Sequence, residues 1–474
     1  VERAGSASQI DGLLTDARNQ LQRAVELDGE PIEPRLHLAQ ANLESGEMLT
    51  AAKLCDSLLT HISSRGGASG DVLAETHRIR ALAGNQLFTD ARFNNRDDPD
   101  QLAAARNAFR ALEKMNRLPA ELCRTWSVLE QRAKNNDEAL AIYARALQRT
   151  PNDVKLLGGL VTRGNETQDV ERAAAILDKR TDALGLFYSG MARYHAGTFA
   201  PLVARDPGKT NAYLRAAVSA FTGSMAKESG YGDSCSQWIA IAQAAQGFAA
   251  LATNPPQVDG ALRHFLDAAR IAPARFTAPV SGERSVKTGI QLVVDQYYRK
   301  PDLPGAIAAL RQTCAVFDGD ADLWNNLGLF CRDHGVALET AGKPELAKKL
   351  FEQSLTAYDH AVHLAPTPRH HNDKIVLQLY HLNRDTEAAA KTLRECIVTG
   401  EKQLAEDPPQ NPQQLRDLQE TVGDCYQNLG YYLMKFAGDP KGARSNFEKS
   451  LTFHPFKERS SNGWLAELDK QPAK

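Results

Sequence analysis

The sequence lacks the features that mark several large classes of protein. It has no run of apolar residues near the length of about 20 that a membrane-spanning helix needs. Aromatic residues make up only 7% of the 474 residues, so a core must be built largely from small and aliphatic side chains. The 56 Lys and Arg residues are balanced by 58 Asp and Glu residues, which argues against a nucleic-acid surface built on bulk positive charge. A content of 42% hydrophobic and 24% charged residues is typical of a folded chain.

Closely spaced cysteines are also missing. Seven cysteines are scattered along the chain, with neither a CxxC pair nor the spacing of a zinc site, at positions 55, 123, 235, 314, 331, 396 and 425. We therefore expect buried single cysteines rather than a disulfide framework, which favours a reducing compartment such as the cytoplasm. The chain begins at Val1 rather than at a methionine, so membrane attachment or export through a removed N-terminal segment stays open.

One residue spacing recurs along the chain and predicts a repeated helix. A small residue is followed four positions later by a bulky one, three positions later by another small one, and five positions later by a helix breaker. The four clear copies are Ala139-Tyr143-Ala146-Pro151, Ala261-Phe265-Ala268-Pro273, Ser354-Tyr358-Ala361-Pro366 and Ala443-Phe447-Ser450-Pro455. A weaker fifth copy is Ala17-Leu21-Ala24-Gly29. Offsets of four, three and seven place the first three residues on one helical stripe, where small residues allow a neighbouring helix to approach closely.

A second pattern lies upstream of two of these copies. Trp324 is followed by Leu327 and Gly328, and Tyr426 by Leu429 and Gly430. Together the two patterns resemble the tetratricopeptide repeat (TPR) family, whose units of about 34 residues form a helix, a turn and a second helix. The resemblance implies an all-α, right-handed superhelical solenoid of TPR-like helix-turn-helix pairs.

Several units are longer than the family standard. Cys331 and Ser354 are 23 positions apart, against about nine in a standard unit, which leaves room for about seven extra residues in each helix of the pair. Trp238 and Ala261 are also 23 positions apart, with an excess of about seven. We therefore expect about ten pairs, several with elongated helices, rather than the roughly fourteen of an array without insertions.

The array divides into segments by the regularity of the repeat. We predict an N-terminal TPR-like array over 1–196, an irregular unit with loops over 197–235, and a C-terminal array with long helices over 236–456. The irregular unit is either a bend in the array or a domain boundary. A cap helix and tail follow over 457–474, with Trp464 in the cap. The first helix, Ser6–Leu27, carries the pattern of a second helix without a partner before it. It is either an N-terminal cap or the remainder of a longer array.

The resemblance also implies a binding groove lined by the first helix of each pair. In the units with the best register, the groove positions are Asn325, Asn326, Arg332, His370, Lys374, Tyr380, His381, Gln427, Asn428, Tyr431 and Lys435. Asn326 and Asn428 match the family asparagine that often bonds the ligand backbone, because a carboxamide both donates and accepts. The alternative is that each asparagine bridges neighbouring helices.

Motifs for catalysis and cofactors are not evident. We find no phosphate-binding loop, dinucleotide fingerprint, hydrolase elbow or HExxH pair, and we expect neither enzyme activity nor a cofactor. Five histidines cluster at positions 360, 363, 370, 371 and 381. His360 and His363 have a spacing that could hold a metal, but no acidic or cysteine ligand is fixed beside them, so we favour surface or groove histidines and predict no metal site.

These observations predict a non-enzymatic scaffold or adaptor that binds a peptide or partner protein in the groove. Mixed charge around Lys348 and Lys349 resembles a solvated surface, so we expect no nucleic-acid partner. The alternative is a regulatory or targeting TPR region of a larger enzyme, complex or membrane-attached protein. The identity of the partner and the oligomeric state stay open.

Overall fold

The chain folds into two compact units, residues 1–242 and 243–474. The computed structural model describes residues 7–27, 32–65, 67–280, 282, 284–299, 302–453 and 460–470, with side chains from residue 12 onward. Within these ranges every regular element is helical, so the prediction of an all-α chain is confirmed. None of the described helices is both long enough and apolar enough to cross a bilayer. The predicted segment boundaries at 196 and 236 stay a prediction.

Unit 1 is a row of paired helices. Its elements are α1 (Ala7–Leu27), α2 (Ile32–Glu44), α3 (Met48–Arg65), α4 (Gly70–Phe93), α5 (Pro99–Lys114), α6 (Ala120–Arg132), α7 (Asn136–Arg149), α8 (Val154–Glu166), α9 (Val170–Leu177), α10 (Ala183–Thr198), α11 (Ala200–Arg205), α12 (Pro207–Lys227) and the first part of α13 (Gly232–Leu251). The pairs are α2/α3, α4/α5, α6/α7, α8/α9 and α10/α12, and α1 packs on α2. Each helix contacts only helices close to it in the chain, as in a repeat array.

Unit 2 continues the same organisation. After the second part of α13 come α14 (Val258–Ile271), α15 (Val286–Arg299), α16 (Leu303–Cys314), α17 (Ala321–Thr340), α18 (Pro344–Leu364), α19 (Pro368–Leu377), α20 (Thr386–Glu406), α21 (Pro412–Tyr432), α22 (Pro440–Phe453) and α23 (Ser460–Asp469). Wider π-type turns extend α19 over Gln378–Leu382 and α21 over Leu433–Ala437. The pairs α13/α14, α15/α16, α17/α18, α19/α20 and α21/α22 bring the total among the described residues to ten, which confirms the expected number.

The recurring small–bulky–small residues form the interior of their pairs. In the four clear copies all twelve of these residues are at most 2% exposed. The helices α7, α14, α18 and α22 each end two residues before the proline of their copy. In the weaker fifth copy Ala17 is exposed and Leu21 is only half-buried. Pro455 and Gly29 lie outside the described residues.

Glycine in the first helix receives the bulky ring of the second. A methyl group added at Gly328 would lie 2.7 Å from a ring carbon of Tyr358, and one at Gly430 would lie 2.7 Å from the ring of Phe447. Both distances are shorter than packed carbon atoms allow. The hydroxyl of Ser354 donates to the carbonyl of Gly328 at 2.6 Å and fixes the same crossing from its other side. The helices can therefore approach this closely only because these positions carry no side chain.

The long pair α17/α18 repeats this contact further along. The helices have 20 and 21 residues, and a methyl group at Gly335 would lie 2.5 Å from the ring of Phe351. Gly335 follows Gly328 by two helical turns, and Phe351 precedes Tyr358 by the same distance. This confirms that the extra residues between Cys331 and Ser354 lengthen both helices without rotating their apolar faces. In α13/α14 the helices have 20 and 14 residues, so there the insertion lengthens the first helix and the turn.

The loops expected within 197–235 are largely helical. Gly197 is the penultimate residue of α10, where it makes room for the side chain of Leu214. Pro207 opens α12, a position that tolerates proline, and the carboxylate of Asp206 caps the helix by accepting from the backbone N–H of Lys209 at 2.9 Å. The loop prediction was wrong because these glycine and proline residues serve helix contact and helix initiation.

Substitution of Gly328 tests the crossing. Gly328→Ala is expected to lower the free energy of unfolding by about 1–3 kcal/mol, because the added methyl group displaces the ring of Tyr358. Gly463→Ala in α23 is the matched control, since a methyl group there meets nothing within 4 Å. Urea unfolding followed by circular dichroism measures both changes. Equal unfolding midpoints for Gly328→Ala and the wild type would contradict the close-packing account.

Candidate partner-binding pocket

Unit 2 contains a pocket on the face shared by the first helices of three consecutive pairs. Its volume is about 800 Å³, which is within the range of ligand-binding cavities. Helices α17, α19 and α21 form its length and α23 forms one end. The lining residues are Leu329, Arg332, Arg369, Asn372, Asp373, Val376, Tyr380, His381, Asp417, Glu420, Thr421, Asp424, Gln427, Asn428, Ser460 and Trp464.

The pocket brings together part of the groove predicted from the sequence. Of the eleven predicted residues, those that line it are Arg332, Tyr380, His381, Gln427 and Asn428. The six that do not line it are Asn325, Asn326, His370, Lys374, Tyr431 and Lys435. A binding role for any of the eleven stays a prediction.

Asn428 uses both ends of its amide within the fold. Its Nδ2 donates to Oδ1 of Asn372 at 2.8 Å, and its Oδ1 accepts from the hydroxyl of Tyr380 at 2.9 Å. Burial raises the pKa of Tyr380 well above its usual value, and the neighbouring Tyr431 and Asp424 raise it further, so the phenol remains protonated and can donate. Asn428 therefore bridges α19 and α21. This is the second of the two roles considered for the family asparagine, a bridge between neighbouring helices.

The predicted residues outside the lining mostly pair with other side chains. Buried Asn325 donates to Asp373 at 2.8 Å, whereas Asn326 is half-buried on α17. Lys374 pairs with Asp359 at 2.7 Å, and Lys435 pairs with Glu467 at 2.9 Å. The ring of Tyr431 stacks on Tyr380, with 4.1 Å between centroids, and so supports the pocket from behind.

The sequence analysis predicted none of the acidic residues that line the pocket. Asp417, Glu420 and Asp424 lie three and four positions apart on α21, in phase with Gln427, and therefore share one face of the helix. These three residues, which we call the acidic stripe, lie in the N-terminal extension of α21, beyond the part that the family pattern covers. The three-and-four spacing of the carboxylates was the available signal.

The pocket carries more negative than positive groups. Four carboxylates line it, those of the acidic stripe and Asp373, against the guanidinium groups of Arg332 and Arg369. Burial lowers the pKa of Arg332, but Tyr358 and the carboxylates of Asp333 and Asp373 outweigh this effect, so the guanidinium stays charged. Burial and the charge of Arg332 lower the pKa of His381, which is therefore mainly neutral at pH 7.

The clustered histidines serve separate contacts. His360 stacks on Trp324 with 4.5 Å between ring centroids, and His381 stacks on Phe351 at 4.8 Å. Nδ1 of His370 lies 2.8 Å from the carbonyl oxygen of Ala365. Across the described part of the chain, no group of three or more histidine, cysteine or acidic side chains is placed to hold a metal ion.

Comparisons with known proteins give only distant likenesses. No family model and no curated protein matches the chain. A monomeric mutant of IFIT1 with m7Gppp-AAAA is 14% identical, with 96% of this chain and 86% of that chain covered and a TM-score of 0.33. The human IFIT1 dimer with m7Gppp-AAAA is 13% identical, with coverage of 96% and 85% and a TM-score of 0.31. The APC/C hetero-tetramer Cut9-Hcn1 is 13% identical, with coverage of 97% and 94% and a TM-score of 0.27.

TM-scores this low carry no argument about the partner of this chain. The helix pairs and the pocket therefore rest on the contacts described above. The expectation that nucleic acid is not a partner stays a prediction.

A charge network surrounds the buried His370, next to Arg369 of the pocket lining. Nε2 of His370 lies 3.6 Å from Oδ1 of Asp322, and Lys287 reaches Asp320 at 2.6 Å and Asp322 at 3.3 Å. Burial lowers the pKa of His370, but Asp322 and the carbonyl of Ala365 outweigh it, so the net shift is upward. The contact with His370 and the charge of Lys287 hold the pKa of Asp322 well below its usual range. The network ties α15, α17 and α19 together.

The raised pKa of His370 predicts how stability depends on pH. The contribution of His370 to the free energy of unfolding is complete at pH values below its unfolded pKa of about 6.5. It is lost as the pH rises through the pKa that His370 has in the folded protein. His370→Gln should therefore destabilise the protein more at pH 5.5 than at pH 8.5. Urea unfolding at both values measures the difference, with His363→Gln, at an exposed position of α18, as the control. An equal decrease in the free energy of unfolding of His370→Gln at both pH values would contradict this role of the network.

Proposed function

We propose that this protein is a non-enzymatic scaffold that binds a peptide segment of a partner protein in the pocket of unit 2. The observation that carries the proposal is the pocket itself, which is formed by three successive first helices and is lined by five of the eleven predicted groove residues. Its volume of about 800 Å³ is sufficient for several side chains of a bound segment.

The chemistry of the lining supports a peptide ligand. Apolar Leu329 and Val376, aromatic Tyr380 and Trp464, and groups of both charges share one cavity. Such a mixture can accommodate different side chains along one bound peptide segment. The charged groups of the pocket would fix the orientation of that segment. The walls are held rigid by the bridge of Asn428 and by the stacked rings of Tyr380 and Tyr431. A preformed site loses less conformational entropy when it binds.

A selection from random-sequence peptides displayed on phage, followed by titration of the purified peptides, tests the proposal. Val376→Trp should fill the pocket and weaken the binding affinity for the selected peptides by at least about tenfold, which corresponds to about 1.4 kcal/mol of binding free energy. Val398→Trp is the matched control, because Val398 is 66% exposed on α20 and lies outside the lining. Circular dichroism and the unfolding midpoint establish that both variants are folded. Equal binding to Val376→Trp and the wild type would refute the pocket as the binding site.

Oligoadenylate RNA is the second probe in the same titration. The carboxylates that outnumber the guanidinium groups of the pocket should repel a phosphate backbone, so we expect no RNA binding that depends on Val376. RNA that binds the wild type and loses affinity with Val376→Trp would contradict the choice of a peptide ligand.

A further inference from the structure

The ends of the pocket differ in charge. Arg332, Arg369 and Asp373 lie on α17 and α19, whereas the three carboxylates of the acidic stripe lie on α21. The wall formed by α21 therefore attracts a cationic group more strongly than the wall formed by α17 and α19, where two guanidinium groups accompany one carboxylate. The charge distribution favours the end formed by α21 and α23 for such a group.

Aromatic rings lie at the same end. Tyr380 and Trp464 both line the pocket, and their ring centroids are 5.9 Å apart. Trp464 also packs on Phe447, with 5.2 Å between centroids, so its position is fixed by the core of the last pair. Asp424 lines the same pocket as the two rings. Aromatic faces next to carboxylates form a suitable environment for an ammonium or guanidinium group.

The part of the pocket wall formed by the acidic stripe is rich in hydrogen-bond acceptors. Glu420 and Asp424 already take part in contacts of the folded chain, but an ionised carboxylate has about four acceptor positions, so partnered carboxylates can still accept from a ligand. An acceptor-rich wall suits a ligand group that only donates, which is the property of lysine and arginine.

We propose that the α21/α23 end of the pocket holds a lysine or arginine side chain of the bound segment. Its charged group lies between the acidic stripe and the rings of Tyr380 and Trp464, and the segment continues past Val376 toward Arg369. The inference rests on the proposed function and names the chemistry of the partner, a segment whose basic residue anchors it in this pocket.

Changes in the ligand test the inference without altering the protein. In a selected peptide, replacement of the basic residue by norleucine or citrulline should weaken binding to the wild type by at least about tenfold, because the charge is lost while most of the apolar stem remains. Affinity for the basic peptide should also fall as sodium chloride increases, and affinity for the neutral peptide should change less.

A double-mutant cycle locates the contact. Asp424→Asn should weaken the affinity for the basic peptide about fivefold to tenfold and leave the affinity for the neutral peptide almost unchanged. Glu395→Gln, at an exposed position of α20 outside the lining, should affect neither peptide and is the matched control. Trp464→Phe should retain most of the affinity for the basic peptide, and Trp464→Leu should lose most of it, because only an aromatic face attracts the cation. Equal affinity of Trp464→Leu and Trp464→Phe for the basic peptide would contradict the contact with the ring.

The outcomes separate this inference from the proposed function. One outcome is that peptides bind the wild type, do not bind Val376→Trp and keep their affinity when norleucine replaces the basic residue. This outcome would overturn the basic anchor and would still support the pocket as the binding site. Selection of peptides without lysine or arginine would overturn it in the same way. Peptides indifferent to Val376→Trp would refute the proposed function itself, whatever their charge.

Discussion

The fold depends on close contact between a glycine of one helix and an aromatic ring of the next. Tyr358 on Gly328 and Phe447 on Gly430 hold their pairs at a separation that any larger residue would prevent. Since each helix packs only against near neighbours in the chain, the geometry of one crossing fixes the position of the next pair. The pocket is built from three successive first helices, and its width is therefore set by these crossings rather than by its own lining.

The sequence predicted the helix pairs well wherever this contact leaves a clear spacing. The small–bulky–small stripe and the proline after it identify α7, α14, α18 and α22, because burial and termination both follow from residue type. The same reasoning failed at Gly197 and Pro207. A glycine can terminate a helix or admit a neighbour, and a proline can break a helix or begin one, and the local sequence does not distinguish these uses.

The predicted groove residues are only partly right on each of the three helices. On α17, which carries the contact between Gly328 and Tyr358, Arg332 lines the pocket, and Asn325 and Asn326 do not. On α21, Gly430 under Phe447 sets the register, and Gln427 and Asn428 do line the pocket. The predicted residues His370 and Lys374 of α19 lie beside the lining residues Arg369 and Asp373, an error of one position. One residue corresponds to about 100° of rotation, which is enough to move a side chain out of a pocket.

Recognition in this pocket must differ from a ladder of asparagines reading a peptide backbone. The amides of Asn428 and Asn372 are bonded to each other, and Asn428 also accepts from Tyr380, so their hydrogen-bonding capacity is largely used inside the fold. What the pocket offers a ligand is charge, aromatic surface and volume. The overall net charge of −2 gives no indication of this, because the acidic stripe is offset by basic residues elsewhere in the chain. In the binding mode that we propose, selectivity would therefore come from the local arrangement of charge, with Arg332 and Arg369 on α17 and α19 and the acidic stripe on α21.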